Sequence, residues 1–179
     1  AVPVSSRDEL GTLAQAFAVM TGNLKKHIAR IEDITAEKER IATELHIARD
    51  IQAAMLPSIF PPFPERHDGN LYALMHPAKE VGGDFYDFFF VDDNRLAVVM
   101  ADVSDKGVPA ALFMAIAKTH LRNSALSHTD PGAALAAANV QLCENNNTGM
   151  FVTAFMGVLD LRSGGFRYAN AGHTPFYVL

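Results

Sequence analysis

Two aspartates, Asp84 and Asp102, are placed where they could do chemistry together. Asp84 stands in Gly82-Gly83-Asp84-Phe85-Tyr86-Asp87, at the start of a strand-like run. Asp102 stands in Ala101-Asp102-Val103-Ser104-Asp105-Lys106-Gly107, directly after the unbroken apolar run Leu96–Ala101. The turn signal Asp92-Asp93-Asn94 joins the two runs as a hairpin. Antiparallel pairing then sets the start of the first beside the end of the second. A carboxylate at the edge of a buried sheet costs free energy unless it is paired or bound to a cation, and two facing carboxylates repel. Hard oxygen donors of this kind suit Mg²⁺ or Mn²⁺, and no His/Cys cluster has zinc spacing. The residues alone leave two readings open: a divalent-cation site, or surface-turn aspartates of the sort common at strand ends and caps. Gly82 and Gly83 allow unusual backbone angles before Asp84. Gly107 and Pro109 open a helix just after Asp102, and a helix N-terminus favours an anion such as phosphate.

The elements that must position these residues are legible as runs. Strands are expected at Leu71–Met75, Asp84–Val91, Arg95–Ala101, Met150–Leu161, Gly165–Ala169 and Phe176–Leu179, with a second turn at Ser163-Gly164-Gly165. Two helices fall between them, Val108–Leu126 with Pro109 in its first turn and Pro131–Asn146. Hairpin strands flanking a helical pair predict an α+β layered sandwich. Cys143 sits in the second helix and reads as a small core residue.

The first third follows another period. Steps of three and four from Leu10 give Leu10, Leu13, Phe17, Met20, Leu24, His27, Ile31, Ile34, Lys38, Ile41, Leu45, Ala48, Gln52 and Met55, of which eleven in fourteen are apolar. Spacing of 3.5 residues held for six heptads predicts a coiled coil. No proline falls between Val4 and Leu56. A helix of about 48 residues is roughly 70 Å long, too long to bury its seam on a small domain, so a second copy is the expected partner; the alternative is a lone helix folded back on its own domain. His27, Lys38 and Gln52 are the polar seam positions and weaken it. Ile47 and Ile51 form a side stripe that could dock the helix onto the neighbouring domain. Pro57 ends the helix, and four prolines within Pro57–Pro64 make a stiff linker.

Composition narrows the function classes. The chain has 179 residues, 49% of them apolar, with a net charge of −5. No basic run suggests a nucleic-acid surface. A single cysteine excludes an intramolecular disulfide and fits a reducing, cytoplasmic compartment. No run of 18 apolar residues is present, and no signal peptide. The chain begins without Met and ends on an apolar run, which reads as an excerpt of a longer protein.

Five linked motifs carry a resemblance: Ala48-Arg49-Asp50-Ile51-Gln52 with Met55-Leu56-Pro57, Val81–Asp87, Ala101–Leu112, Phe151–Phe155, and Ala169-Asn170-Ala171-Gly172-His173-Thr174-Pro175. Their order and spacing over residues 45–179 resemble the SpoIIE/RsbU-type branch of the metal-dependent protein phosphatase (PPM) family. The resemblance implies an antiparallel β-sandwich flanked by helices (αββα) and two Mn²⁺ or Mg²⁺ ions. It also implies attack of a metal-bound water on a phosphoserine or phosphothreonine. Asp84 and Asp102 would ligate the metals, Asp102 bridging both, with the Val103 backbone carbonyl as a further ligand. Asp87, Asp105 and Lys106 match motif letters without an assigned role, and His173 reads as a structural hydrogen-bonder ahead of a general acid. The helical pair after Asp102 is implicated in switching in this branch.

Arg7-Asp8-Glu9-Leu10-Gly11-Thr12-Leu13, with Phe17 and Met20, resembles the start of the second helix of a HAMP domain, which implies an upstream membrane-bound sensor and attachment of the full-length protein to the inner membrane. The expected organisation is a HAMP-like helix end at 1–24, a coiled-coil linker at 25–57, a Pro-rich linker at 58–68 and the front of a phosphatase domain at 69–179. The family's later aspartates, in a Thr-Asp-Gly motif and beyond, fall after the end of this chain, so the metal site is expected to be incomplete and this stretch alone weak or inactive. The function these features imply is a protein serine/threonine phosphatase, gated by a dimeric helix and acting on a phosphorylated STAS-type anti-sigma antagonist. The alternatives are a dimeric scaffold or inactive phosphatase-like binding domain, and an unrelated metal phosphoesterase.

Overall fold

The computed structural model describes residues 8–60, 62–65, 70–77, 79–144 and 146–177. The first helix, α1, spans Glu9–Ala54. Residues through Leu45 form one unit and residues from His46 a second.

In the first unit α1 opens with Asp8, whose carboxylate accepts the Gly11 N–H at 3.1 Å. Its seam residues are open to solvent in the single chain: Leu10, Leu13, Phe17, Met20, Leu24, Ile31, Ile34 and Ile41 are all exposed. Arg40 bridges Glu37 at 2.7 Å and Glu44 at 3.0 Å, solvated pairs that water screens. No helix among the described residues is long and apolar enough to cross a membrane.

The second unit is an α+β layer pair. Strands β1 (Phe85–Phe90), β2 (Arg95–Val103), β3 (Val152–Asp160) and β4 (Phe166–Ala171) form one antiparallel sheet in the order β1-β2-β3-β4. Helices α2 (Val108–Ser127) and α3 (Pro131–Cys143) join the sheet in one apolar core. Residue types explain each join. Asp92 accepts the N–H groups of Asn94 and Arg95 and closes the β1–β2 turn. Gly107, at φ +82°, takes the left-handed backbone that starts α2, with Pro109 in the first turn. Asp130 caps α3 by accepting the Ala133 N–H at 2.9 Å. One sheet with one helical pair is half of an αββα sandwich.

Period-two alternation sorts the sheet faces. Phe85, Asp87 and Phe89 lie opposite Ala101, Val99 and Ala97, and Val99 lies opposite Met156. These residues are buried, and all but Asp87 belong to the core cluster shared with Ala110, Met114, Ala117 and Leu121 of α2. The other face carries Tyr86, Phe88 and Phe90. Phe60 and Phe63 of the Pro-rich segment cover it, with Phe63 4.7 Å from Phe90 and Phe60 5.8 Å from Phe88. That segment therefore packs on the sheet instead of spacing two domains.

Asp87 is the polar exception on the core face, 2% exposed. Lys118 Nζ lies 2.7 Å from it and Arg122 2.9 Å, one turn apart on α2. Arg122 also sits 4.3 Å above the Phe89 ring. A buried carboxylate is tolerable only with such partners, and this one ties β1 to α2.

Several expectations change. Leu71–Met75 forms no strand: residues 71, 73 and 75 are half-buried and 72 and 74 exposed, so the alternation exists, but no neighbouring strand pairs with it among the described residues. Phe176 and Tyr177 are irregular; Phe176 instead packs on Phe155 and Tyr168 at 4.7 and 4.6 Å. Helix α3 ends at Cys143, whose thiol is exposed and not in the core. Ile47 and Ile51 do not dock the helix, being 55% and 61% exposed. Gln52 is not a seam residue but is buried within the second unit. Residues 1–7 of the HAMP-like opening, residues 66–68 of the linker and residues 178–179 of the last expected strand lie outside the described residues.

Removing Asp87 strands two cations, one of them mostly screened from solvent. Asp87→Ala is expected to cost about 3–5 kcal/mol, read as a lower urea midpoint. Arg122→Ala costs clearly less, because that side chain is 44% exposed.

Candidate functional site

The open end of the β1–β2 hairpin, away from its turn, collects the sequence-predicted site residues. The last paired residues there are Phe85 and Ala101. One step further along the same register stand Asp84 and Asp102, both solvent-accessible. Their carboxyl groups are close enough to share a hydrogen bond, and each feels the other's charge. Burial, then a hydrogen bond that the protonated Asp84 carboxyl donates to Asp102, then the Asp102 charge push the Asp84 carboxyl above the usual aspartate range, while His173 and Lys106 pull it back.

Backbone packing fixes this edge. A Cβ at Gly83 would lie 2.9 Å from Val103 Cβ, 3.0 Å from the Val103 carbonyl oxygen and 3.3 Å from Ala110 Cβ. Only glycine lets the two strands approach so closely, and the approach sets the Val103 carbonyl beside the segment that carries Asp84. The loop after Asp102 turns through Asp105 at φ +69° and Gly107 at φ +82°, directly into α2. This makes Asp105 a backbone residue in the site's architecture. Lys106 supplies a positive charge near Asp84.

The Asn170-Ala171-Gly172-His173 motif closes on itself. Asn170 accepts the His173 N–H at 2.8 Å and donates to its carbonyl at 3.1 Å, with Gly172 at φ +74°. His173 Nδ1 then meets Thr153 Oγ1 at 3.0 Å, and the Thr153 hydroxyl donates to the Asp102 carbonyl at 3.4 Å. Thr153 is the register partner of Asp102 on β3. His173 is thus a structural hydrogen-bonder, whose ring nonetheless lies near enough to Asp84 to act on its charge.

The sequence pattern missed Gln52. Its Nε2 donates to the Gly82 carbonyl at 2.8 Å, and its Oε1 accepts the Gly82 N–H at 3.0 Å. The signal that could have found it was a polar residue recurring in an apolar seam immediately before the helix stop. Tyr86 Oη donates to the Pro57 carbonyl at 2.7 Å and ties down the same helix end.

The oxygen donors at this end of the hairpin are hard: the Asp84 and Asp102 carboxyl groups, with the Val103 backbone carbonyl against the Gly83 segment. That chemistry fits Mg²⁺ or Mn²⁺ and does not fit zinc or a soft metal. Among the described residues no group of three or more His, Cys, Asp or Glu side chains converges.

Known proteins resemble this chain in sequence and in fold. The family model described as stage II sporulation protein E (SpoIIE) matches residues 92–179, which include Asp102 but not Asp84. Protein IcfG of Synechocystis sp. is 32% identical over 97% of this chain and 30% of that protein. The phosphoserine phosphatase RsbU of Bacillus subtilis is 31% identical over 78% of this chain and 41% of that protein. The chain therefore spans less than half the length of these relatives. The SiaA-PP2C domain of Pseudomonas aeruginosa superposes with a TM-score of 0.64 at 24% identity, covering 75% of this chain and 54% of that one. It shares the fold.

The raised Asp84 value has a stability consequence with a definite sign. An acid whose folded pKa exceeds its unfolded pKa destabilises the fold as pH rises through the folded value, and costs nothing below the unfolded one. Asp84→Asn is expected to raise the melting midpoint of the metal-free protein at about pH 7 and to leave it unchanged at about pH 3. A lowered midpoint at neutral pH would contradict the carboxylate repulsion.

Proposed function

The chain belongs to the SpoIIE/RsbU-type branch of the metal-dependent protein phosphatase family, and on that premise we propose that it carries part of the catalytic centre of a protein serine/threonine phosphatase in a signalling protein. The observation that carries this reading is the Asp84–Asp102 pair, brought together by register inside two of the motifs that define the resemblance. A scaffold has no use for two mutually repelling carboxylates, whereas a divalent ion turns the repulsion into binding. In this reading Asp84, Asp102 and the Val103 carbonyl hold Mn²⁺ or Mg²⁺. Ions bound there would lower the pKa of a water and neutralise phosphoryl charge. The chain's own groups do the rest. Thr153 and His173 hold the Asp102 backbone in place. The positive charge of Lys106 faces the acidic pair, where an anionic substrate would approach. The α2 N-terminus, which begins at Val108 shortly after Asp102, offers free backbone N–H groups of the kind an anion uses.

The substrate in this proposal is a phosphoserine or phosphothreonine on a partner protein, of the STAS-type anti-sigma antagonist class that the branch resemblance implies. A relative that matches over most of this chain is itself described as a phosphoserine phosphatase. The exposed α1 seam supports the proposal that two copies pair through it and that the pairing gates the site, downstream of a membrane-bound sensor.

Two measurements test the reading. In the natural full-length protein, Asp102→Asn is expected to lower Mn²⁺-dependent hydrolysis of a phosphoserine protein by more than the roughly 10–100-fold that a supporting residue costs. Comparable turnover by the variant would reject it. Sedimentation of the same protein is expected to give a dimer, and Leu24→Asp combined with Ile31→Asp a monomer at tens of micromolar. A dimer that survives both charges is not held by this seam.

A further inference from the structure

Gln52 is the one buried residue of α1. This is an odd choice for a docking point. Ile47 and Ile51 lie beside it with far more apolar surface, yet both stay exposed. If the end of α1 met the sheet only to bury area, an isoleucine would face it. The side chain that does face it is a carboxamide, and both of its polar atoms bond to the backbone of a single residue, Gly82.

A primary amide matches a peptide group donor for acceptor. Gln52 therefore completes Gly82 as a neighbouring strand would, one residue ahead of the close approach at Gly83 and two ahead of Asp84. The segment is then fixed from both sides. Gln52 holds Gly82 from the helix, and Val103 and Ala110 hold Gly83 from the sheet and α2. Gly82 is not sterically required: a Cβ there would find Pro77 at an ordinary 3.6 Å. Its tie to Gln52, and not crowding, sets its place. Leu56 in the core and the Tyr86–Pro57 hydrogen bond anchor the helix end a turn later, without touching Gly82.

We propose that Gln52 is a positioning residue for the Asp84 carboxylate, and that through its paired hydrogen bonds to Gly82 the end of α1 sets how well the acidic pair can take a divalent ion. The inference rests on the proposed metal role of Asp84 and Asp102. A rotation or slide of the helix end would pull on the Gly82 peptide before it disturbed the core. Gln52 is thus the residue through which a change in α1 reaches the site.

The test uses Gln52→Met, which keeps length and packing but loses both hydrogen bonds, in the natural full-length protein. Gln52→Glu keeps the volume and the acceptor but loses the donor, and stands in if the Met variant does not fold. Tyr86→Phe, which releases the helix end without touching Gly82, is the control. Two quantities are read: Mn²⁺ affinity by titration calorimetry, and exchange of the Gly82 amide proton in the metal-free protein. Gln52→Met is expected to weaken Mn²⁺ binding by ~10–100-fold and to speed Gly82 exchange by at least ~10-fold. Amides in β2 and β3 and the substrate KM at saturating Mn²⁺ should stay unchanged. Gln52→Glu should fall between this variant and wild type, and Tyr86→Phe should leave Mn²⁺ affinity alone. Unchanged Mn²⁺ affinity in Gln52→Met, or an equal loss in Tyr86→Phe, overturns the proposal while leaving the phosphatase reading intact. A wild-type protein that binds no Mn²⁺ overturns both.

Discussion

Two like charges held side by side at the end of a hairpin set the terms for the rest of the unit. Left alone, Asp84 and Asp102 push strands β1 and β2 apart at the point where the sheet ends. The fold must resist that push, and the groups that resist it leave the two carboxyl groups open to solvent. It does so with the backbone. Gly83 lets the Val103 and Asp84 segments close on each other, Thr153 and His173 hold the Asp102 main chain, and Gln52 holds the Gly82 peptide. None of these takes up the carboxylates themselves.

The contrast with Asp87 shows the same physics resolved the other way. Three residues beyond Asp84, inside β1, Asp87 points into the core, and Lys118 and Arg122 meet its charge directly. Its role is to join β1 to α2. β1 thus carries a carboxylate whose charge is satisfied inside the protein, and just before the strand Asp84 stays exposed to solvent. Burial decides the difference: 2% exposure makes an unpaired Asp87 prohibitively costly, while water at the hairpin end makes the acidic pair bearable.

Much of this was legible because it is local. The turn at Asp92–Asn94 and alternation along two short runs fix the register, and the register alone brings Asp84 to Asp102. The helices after Gly107 and Asp130 start where glycine, proline and aspartate chemistry place them. Asp87 was also within reach. Alternation puts it on the core face between Phe85 and Phe89, and a helix with a lysine and an arginine one turn apart was the natural partner.

The chain by itself determined the antiparallel pairing, the helical pair, the long heptad helix and the acidic pair, since each arises from residues near one another or from a repeating period. Only the tertiary structure decided the work of Gln52, the covering of β1 by Phe60 and Phe63, and the linkage from His173 through Thr153 to Asp102. Those contacts join residues from 20 to 51 positions apart. Nothing in a heptad distinguishes a glutamine that faces a second helix from one that faces a glycine peptide in a different element. Which of the two it meets depends on where the chain returns, and that is set by the packing of the whole core.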